Sequence, residues 1–112
     1  MNVYDCANEL AKAIKESHEL QKLQEAKVVL DKDADAKKMV DDFLKASQEV
    51  ELARMAGKTP DVAKEDQLKQ LYTILSLNSD AQSYLNALMR FQMMMGDITK
   101  TISDPVERVM GK

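Results

Sequence analysis

Several residue types are scarce in this sequence. It contains no tryptophan, one cysteine, one histidine, three glycines and two prolines in 112 residues. A single cysteine excludes an intrachain disulfide and a cysteine cluster for zinc or iron–sulfur. So few turn-forming residues argue against a β-rich fold, and three isolated glycines provide no phosphate-binding glycine-rich loop. These scarcities predict an α-helical protein, and we expect no cofactor and no metal.

Charge and hydropathy exclude further classes of protein. Hydrophobic residues make up 45% and charged residues 31% of the chain, which is too apolar for a disordered protein. The net charge is −3 with mixed signs, so no basic face for nucleic acid is present. No apolar run approaches the roughly 20 residues that cross a bilayer, and the N-terminus lacks a signal-peptide core. We therefore expect one cytoplasmic helical domain, residues 1–112, that binds neither nucleic acid nor membrane directly.

The strongest pattern runs from Ser79 to Ile102. Ser79 and Gln82 have the spacing of a capping box at a helix start. Apolar residues then alternate at intervals of three and four, which is typical of a helix that packs on another helix. Because the apolar arc exceeds half the circumference, we expect a central helix that also contacts another subunit. The predicted surface for self-association or partner binding consists of Tyr84, Leu85, Leu88, Phe91, Met93, Met94, Met95 and Ile98.

Methionines are concentrated in this helix, at Met89, Met93, Met94 and Met95. Thioether side chains fill irregular core gaps and also suit surfaces that adapt to a partner. Met93 and Met94 lie at the edges of the apolar arc, so they are the candidates for outside recognition. Gly96 interrupts the same helix, where we expect either close approach of a neighbouring backbone or a local kink.

A second regular pattern predicts a helix from about Ala34 to Ala56, followed by one from about Pro60 to Leu77. Gly57 is expected to end the first of these helices, and Thr59 is expected to cap the second. So short a connection makes the two helices antiparallel neighbours. The predicted packing seam between them and the rest of the bundle consists of Met39, Phe43, Ala46, Val50, Ala53, Leu68, Leu71 and Leu75.

The N-terminal segment predicts a helix over residues 3–16, capped by Asn2, and another over residues 18–30, capped by Ser17. One bent helix over both ranges is the alternative. Near the C-terminus, the run Ser103–Pro105 predicts a break before a final short helix that ends near Gly111. The fold expected from all segments is an elongated, antiparallel, self-associating bundle of five to six helices, with two or three long ones.

The few residues that could support chemistry have structural interpretations. Cys6 lies on the apolar face of the first helix, as a small buried residue does. His18 stands near a helix start, where a solvated side chain is the usual case. Asp31, Asp33 and Asp35 have the odd spacing of a calcium loop, but the required glycine and final glutamate are missing. Asp33 is better explained as the N-cap of the third helix.

Three segments in this order resemble the YlbF/YmcA/YheA family of small helical proteins from Gram-positive bacteria, most closely its YheA-like branch. They are Val3–Ser17, the capped run Asp31–Phe43, and Tyr84–Gly111 with its late proline. The resemblance covers nearly the whole chain. It implies an all-α fold that associates with itself, as a homodimer or larger, and with other family members or a protein complex. The better-studied relatives are non-catalytic partners in a complex that influences an RNA-degrading enzyme and a phosphorelay.

Two departures limit what the resemblance implies. Iron–sulfur clusters in the relatives involve cysteines near the C-terminus, whereas this chain has none after Cys6. Relatives often have an acidic residue after the alanine of the last long helix, whereas Leu88 follows Ala87 here. The sequence thus favours a non-enzymatic adaptor or regulator. The alternative is a bundle that binds a small ligand or handles phosphoryl groups, with His18 as the acceptor.

Overall fold

The computed structural model describes residues 1–59 and 61–111 and confirms the predicted all-α class. Within these residues the chain forms five helices and no strand. The helices are α1 (Val3–Lys15), α2 (His18–Asp31), α3 (Ala34–Met55), α4 (Val62–Ser76) and α5 (Ser79–Met110).

Ser17 separates α1 from α2 and decides between the two predicted alternatives. Its Oγ donates a hydrogen bond of 2.6 Å to the carbonyl of Ile14, and accepts one of 3.1 Å from the backbone N–H of Leu20. The same hydroxyl therefore satisfies an end group of each helix. At the other end of α1, Oδ1 of Asn2 accepts from the N–H of Tyr4 at 2.7 Å, as predicted.

Local signals at both ends of α3 act as predicted. Asp33 is the N-cap, and its Oδ1 accepts from the N–H of Ala36 at 3.0 Å. At the C-terminal end Gly57 has φ +76°, in the left-handed region that favours glycine. The N–H groups of Gly57 and Lys58 donate to the carbonyls of Arg54 and Ala53 at 3.0 and 2.9 Å. This is a Schellman motif, and it closes the helix.

The predicted starts of α4 and α5 are each wrong by one or two residues. Asp61, not Thr59, caps α4 by accepting from the N–H of Ala63 at 3.0 Å; the predicted first residue, Pro60, lies outside the described residues. Asn78, not Ser79, caps α5 by accepting from the N–H of Ala81 at 3.0 Å. Asn and Asp are as effective as Ser and more effective than Thr in this position, so the neighbouring residue takes the role.

Helix α5 is longer than the sequence predicts. The expected break at Ser103–Pro105 is absent, and the helix runs through Pro105 to Met110, where Gly111 with φ +75° follows it. Proline removes only one backbone donor, and the ladder on either side of it holds the helix together. The expected close approach at Gly96 is also absent among the described residues, since an added Cβ there would meet nothing within 4 Å.

The chain divides into two compact units. We call Ala26–Leu85 the core unit, and Met1–Glu25 with the described residues from Asn86 onward the terminal unit. In the core unit α3 and α4 pack against each other, as predicted. Contacts join residues late in α3 to residues early in α4 and the reverse: Arg54 to Glu65, Glu49 to Lys64, and the ring of Phe43 to that of Tyr72. The two helices are therefore antiparallel.

The core unit contains every described side chain that is fully buried. Most of them form one cluster, made of Leu30, Ala36, Val40, Leu75, Ala81 and Leu85. Phe43, Leu44 and Tyr84 pack against this cluster. Val40 was not included in the predicted seam, although it follows Ala36 by four residues and precedes Phe43 by three, which places it on the same helix face.

Candidate functional site

The predicted packing seam lies entirely within the core unit. Val50 and Leu75 are buried, and the other six residues, Met39, Phe43, Ala46, Ala53, Leu68 and Leu71, are partly buried. The rings of Phe43 and Tyr72 lie 5.7 Å apart at 51°, an arrangement that favours aromatic contact. Tyr72 itself remains 44% exposed, so this aromatic contact lies at the edge of the packed surface.

The predicted association surface is divided between the two units. Tyr84 and Leu85 belong to the core unit, where Leu85 is only 3% exposed. Its side chain packs in the core cluster and is not available to a partner, so it must be removed from the predicted surface. The helical repeat places Leu85 about 100° away from Tyr84, toward α5's buried side in this unit.

The remaining six residues of the predicted surface belong to the terminal unit. Leu88, Phe91, Met94, Met95 and Ile98 are partly buried, and Met93 is 71% exposed. On α1 the apolar residues Cys6, Leu10 and Ile14 are also partly buried. No described residue of the terminal unit is fully buried, although its segments of α1 and α5 carry apolar stripes.

The terminal unit also exposes large apolar side chains, both at the ends of these stripes and outside them. On α5 they are Met89, Met93, Ile102, Val106, Val109 and Met110. Val3 and Tyr4 are similarly exposed at the start of α1. Single exposed apolar side chains are normal, but a concentration of them on one helix is typical of an interaction surface.

The ion pairs among the described residues lie on the surface; three join successive turns of one helix, and three join neighbouring helices. Asp31 at the end of α2 accepts a hydrogen bond from Lys27 and lies 3.3 Å from the Nζ of Lys37 in α3. The hydrogen bond from Lys27, supported by the one from Lys37, lowers the pKa of Asp31 although desolvation opposes the shift. The same bond raises the pKa of Lys27. These two ion pairs of Asp31, which we call the α2–α3 brace, link the end of α2 to the first turn of α3.

The residues considered for chemistry are dispersed. His18 is exposed at the first position of α2, and Cys6 is partly buried in α1, with its Sγ 3.5 Å from the Sδ of Met1. Asp33, considered for calcium, is engaged as the N-cap of α3. Across residues 1–59 and 61–111, no three His, Cys, Asp or Glu side chains are grouped so as to hold a metal ion.

A shallow groove between α3 and α4 has a volume of about 320 Å³. Ala46 and Leu71 provide its apolar lining, and Asp42, Lys45, Glu49 and Gln67 provide its polar lining. Opposite charges alternate along one side, so the groove has no single electrostatic preference. No helix in the described part of the chain is both long and apolar enough to cross a membrane.

A family model and several known proteins match this chain over nearly its whole length. A family model described as "Control of competence regulator ComK, YlbF/YmcA" matches residues 3–107. A UPF0342 protein of Caldicellulosiruptor bescii is 42% identical over 106 residues, which cover 95% of this chain and 89% of the relative. A UPF0342 protein of Streptococcus agalactiae is 32% identical, with 97% and 98% covered. One from Alkalihalophilus pseudofirmus is 31% identical, with 98% and 93% covered.

Proposed function

Because the chain belongs to the YlbF/YmcA family, we propose that it is a non-catalytic regulatory adaptor that acts by helix-mediated association. The family description concerns control of the competence regulator ComK. The proposed partners are further copies of the chain, other family members, or a protein complex of the regulatory kind that the family description suggests.

One observation carries this proposal. The terminal unit has apolar stripes on α1 and α5 but no described side chain that is fully buried. Burial of apolar surface contributes roughly 25 cal/mol per Å², so stripes that stay half covered leave much of this stabilisation unused. Small helical units commonly obtain the missing burial by association. The terminal unit therefore fits a protein whose partner completes its packing.

Charge and the placement of ionisable groups support the remaining parts of the proposal. The net charge of −3 and the mixed-sign surface suit protein partners better than nucleic acid or anionic membrane. The polar side chains lie mainly on the solvated arcs of helices, as they do in scaffold and adaptor proteins. We place the protein in the cytoplasm.

Light scattering after size exclusion tests the association directly. At tens of micromolar, a range chosen from the usual affinities of such complexes, we expect a mass of at least twice the 12.6 kDa of one chain. A folded monomer with undiminished helix content at this concentration would contradict the proposal.

Cross-linking in cells, followed by mass spectrometry of the captured proteins, tests the regulatory role. Capture of other family members, a nuclease or a phosphorelay component would support an adaptor within a regulatory complex. Capture of this chain alone would support self-assembly and argue against the adaptor role.

A further inference from the structure

Helix α5 has a second face in the terminal unit, distinct from its half-buried stripe. Met89, Met93, Gly96 and Lys100 follow each other at intervals of four, three and four residues. At about 100° per residue they share one side of the helix, roughly opposite the stripe of Leu88, Phe91, Met95 and Ile98. All four are exposed, Met89 to 57% and Met93 to 71%. We call these four residues the methionine–glycine face.

The structure of the single chain does not explain why residue 96 on this face is a glycine. Glycine is the least favourable helix residue after proline, yet Gly96 lies in the middle of a 32-residue helix. It has no positive φ, and an added Cβ would meet nothing within 4 Å. Neither a turn nor intrachain packing requires glycine there. Close approach by a second molecule is a physical reason for a glycine in this place.

The charges beside the face indicate which second molecule fits. Arg90 and Asp97 are seven residues apart, on the same edge of the methionine–glycine face. Within residues 1–59 and 61–111, neither side chain belongs to an ion pair of the chain. A second copy of α5 laid antiparallel brings Arg90 of each copy near Asp97 of the other, so the face is complementary to itself. A parallel copy would instead place Arg90 at the level of Arg90 and on opposite sides of the contact, so Arg90 would not meet Asp97.

An antiparallel register offset by two residues, about 3 Å, from direct opposition of Arg90 and Asp97 keeps these side chains near each other and also matches shapes. If the two-fold axis passes between residues 94 and 95, Met93 of one copy lies over Gly96 of the other. Met89 then faces Lys100, whose aliphatic stem can cover the thioether while its ammonium stays in water. Because the arrangement is isologous, each of these contacts occurs twice. Large and small residues thus alternate across the contact, as helix packing requires.

We infer that the methionine–glycine face is a homodimer contact, in which α5 of a second copy packs antiparallel with Met93 over Gly96. This inference rests on the proposed function, since it requires self-association, and it adds a second contact on the side of α5 roughly opposite the half-covered stripe.

Substitution of Gly96 tests the close approach. Gly96→Leu adds a side chain where the chain itself has open space, so each subunit should fold with unchanged helix content. Overpacking of the contact should raise the dimer dissociation constant by about tenfold or more. Gly96→Ala, the matched control, should raise it less. A dimer whose dissociation constant is unchanged in Gly96→Leu would overturn the inference.

Charge reversal tests the register. Arg90→Asp and Asp97→Arg each create two like-charged pairs, and each should raise the dissociation constant by about fivefold at low salt. The double variant restores opposite charges and should return to within about twofold of the unmodified protein. Additive weakening in the double variant would overturn the Arg90–Asp97 pairing.

Disulfide trapping tests the direction in a Cys6→Ser background. Subunits with Met89→Cys, mixed with subunits with Lys100→Cys, should form a mixed disulfide under mild oxidation. Lys100→Cys alone should form none, because the two positions would lie about 16 Å apart along the axis at 1.5 Å per residue. The reverse outcome would overturn the antiparallel arrangement. Unmodified protein that is monomeric in light scattering would instead contradict the proposed function itself.

Discussion

The two units of this protein share one sequence pattern but differ in how far their apolar side chains are covered. In the core unit, α3, α4 and the neighbouring ends of α2 and α5 provide a cluster with Leu75 and Ala36 fully buried. In the terminal unit, stripes with the same spacing of three and four leave every described side chain at least partly exposed. The period of a stripe therefore specifies a helix face, whereas the number of neighbours decides whether the face is buried.

This difference also separates stability from recognition. A buried cluster contributes to folding of the single chain, since burial removes its apolar area from water. A half-covered stripe stabilises the single chain only through the apolar area that is already buried. The area that remains exposed can stabilise a complex when a partner covers it. Two expected outcomes test this division, and two smaller ones test the local interactions that support the core unit; they follow from the largest effect to the smallest.

The largest effect should come from the core cluster. Leu75→Ala removes a fully buried side chain and leaves a cavity, so the free energy of unfolding should fall by about 2–5 kcal/mol. Leu77→Ala is the matched control, because Leu77 is 85% exposed and two residues away; its effect should stay within about 0.5 kcal/mol. Chemical denaturation followed by circular dichroism measures both. Equal effects of the two substitutions would remove the distinction between buried and exposed positions.

The same leucine-to-alanine substitution in the terminal unit should lower the free energy of unfolding by a smaller amount. Leu88 is only partly buried, so Leu88→Ala should lower the free energy of unfolding by about 1–2 kcal/mol, in proportion to the apolar area it covers. Denaturation at a low protein concentration, where association is weak, gives the value for the single chain. A loss as large as that of Leu75→Ala would mean that the terminal unit has a complete core of its own.

Loss of the α5 N-cap should have an effect of about 1 kcal/mol. Asn78→Ala removes the side-chain acceptor for the N–H of Ala81 and should destabilise the protein by about that amount. Ser79→Ala should change stability little, since Ser79 is already the first helical residue. Thermal denaturation of the two variants compares them directly. A larger effect of Ser79→Ala would show that Ser79 is the N-cap of α5, as the sequence predicts.

The smallest effect should be a pH dependence of the brace between α2 and α3. The pKa of Asp31 is lowered in the folded protein from an ordinary value of 3.8. Its contribution is therefore present above that value and is lost as the pH falls through the lower, folded pKa. Asp31→Asn should reduce stability at neutral pH and match the unmodified protein in strong acid. Asp66→Asn, at an exposed carboxylate of α4, serves as the control, and a pH-independent deficit in Asp31→Asn would contradict the brace.

Much of the local structure could be predicted from single residues. Asn2, Ser17 and Asp33 cap the helices that follow them, and Gly57 closes α3, because each acts through hydrogen bonds or dihedral angles within a few residues. Prediction failed where neighbouring residues compete for one role. Asp61 replaces Thr59 and Asn78 replaces Ser79, and both alternatives satisfy the same orphan N–H groups. At Pro105 the sequence predicts a helix break, but α5 continues, because the backbone hydrogen bonds on either side of the proline hold the helix together.

The candidate site was predictable only in outline. The apolar arc of α5 identified the helix, but it placed Leu85 on the surface for a partner, whereas Leu85 packs in the core cluster. Periodicity gives the direction of a side chain around its own helix and contains no information about which neighbour lies there. The exposed methionine–glycine face emerged only when open space at Gly96 and the exposure of Met89 and Met93 were known.

By itself, the sequence determined the all-α class, the order of the helices and the family, since these depend on local hydrogen bonding, periodicity and residue identity. The tertiary structure alone decided that residues 26–85 enclose a core while the terminal unit remains half covered. The physical reason is that burial is a property of pairs of surfaces. A stripe on one helix specifies only half of a contact, and packing decides whether the other half is supplied by the same chain.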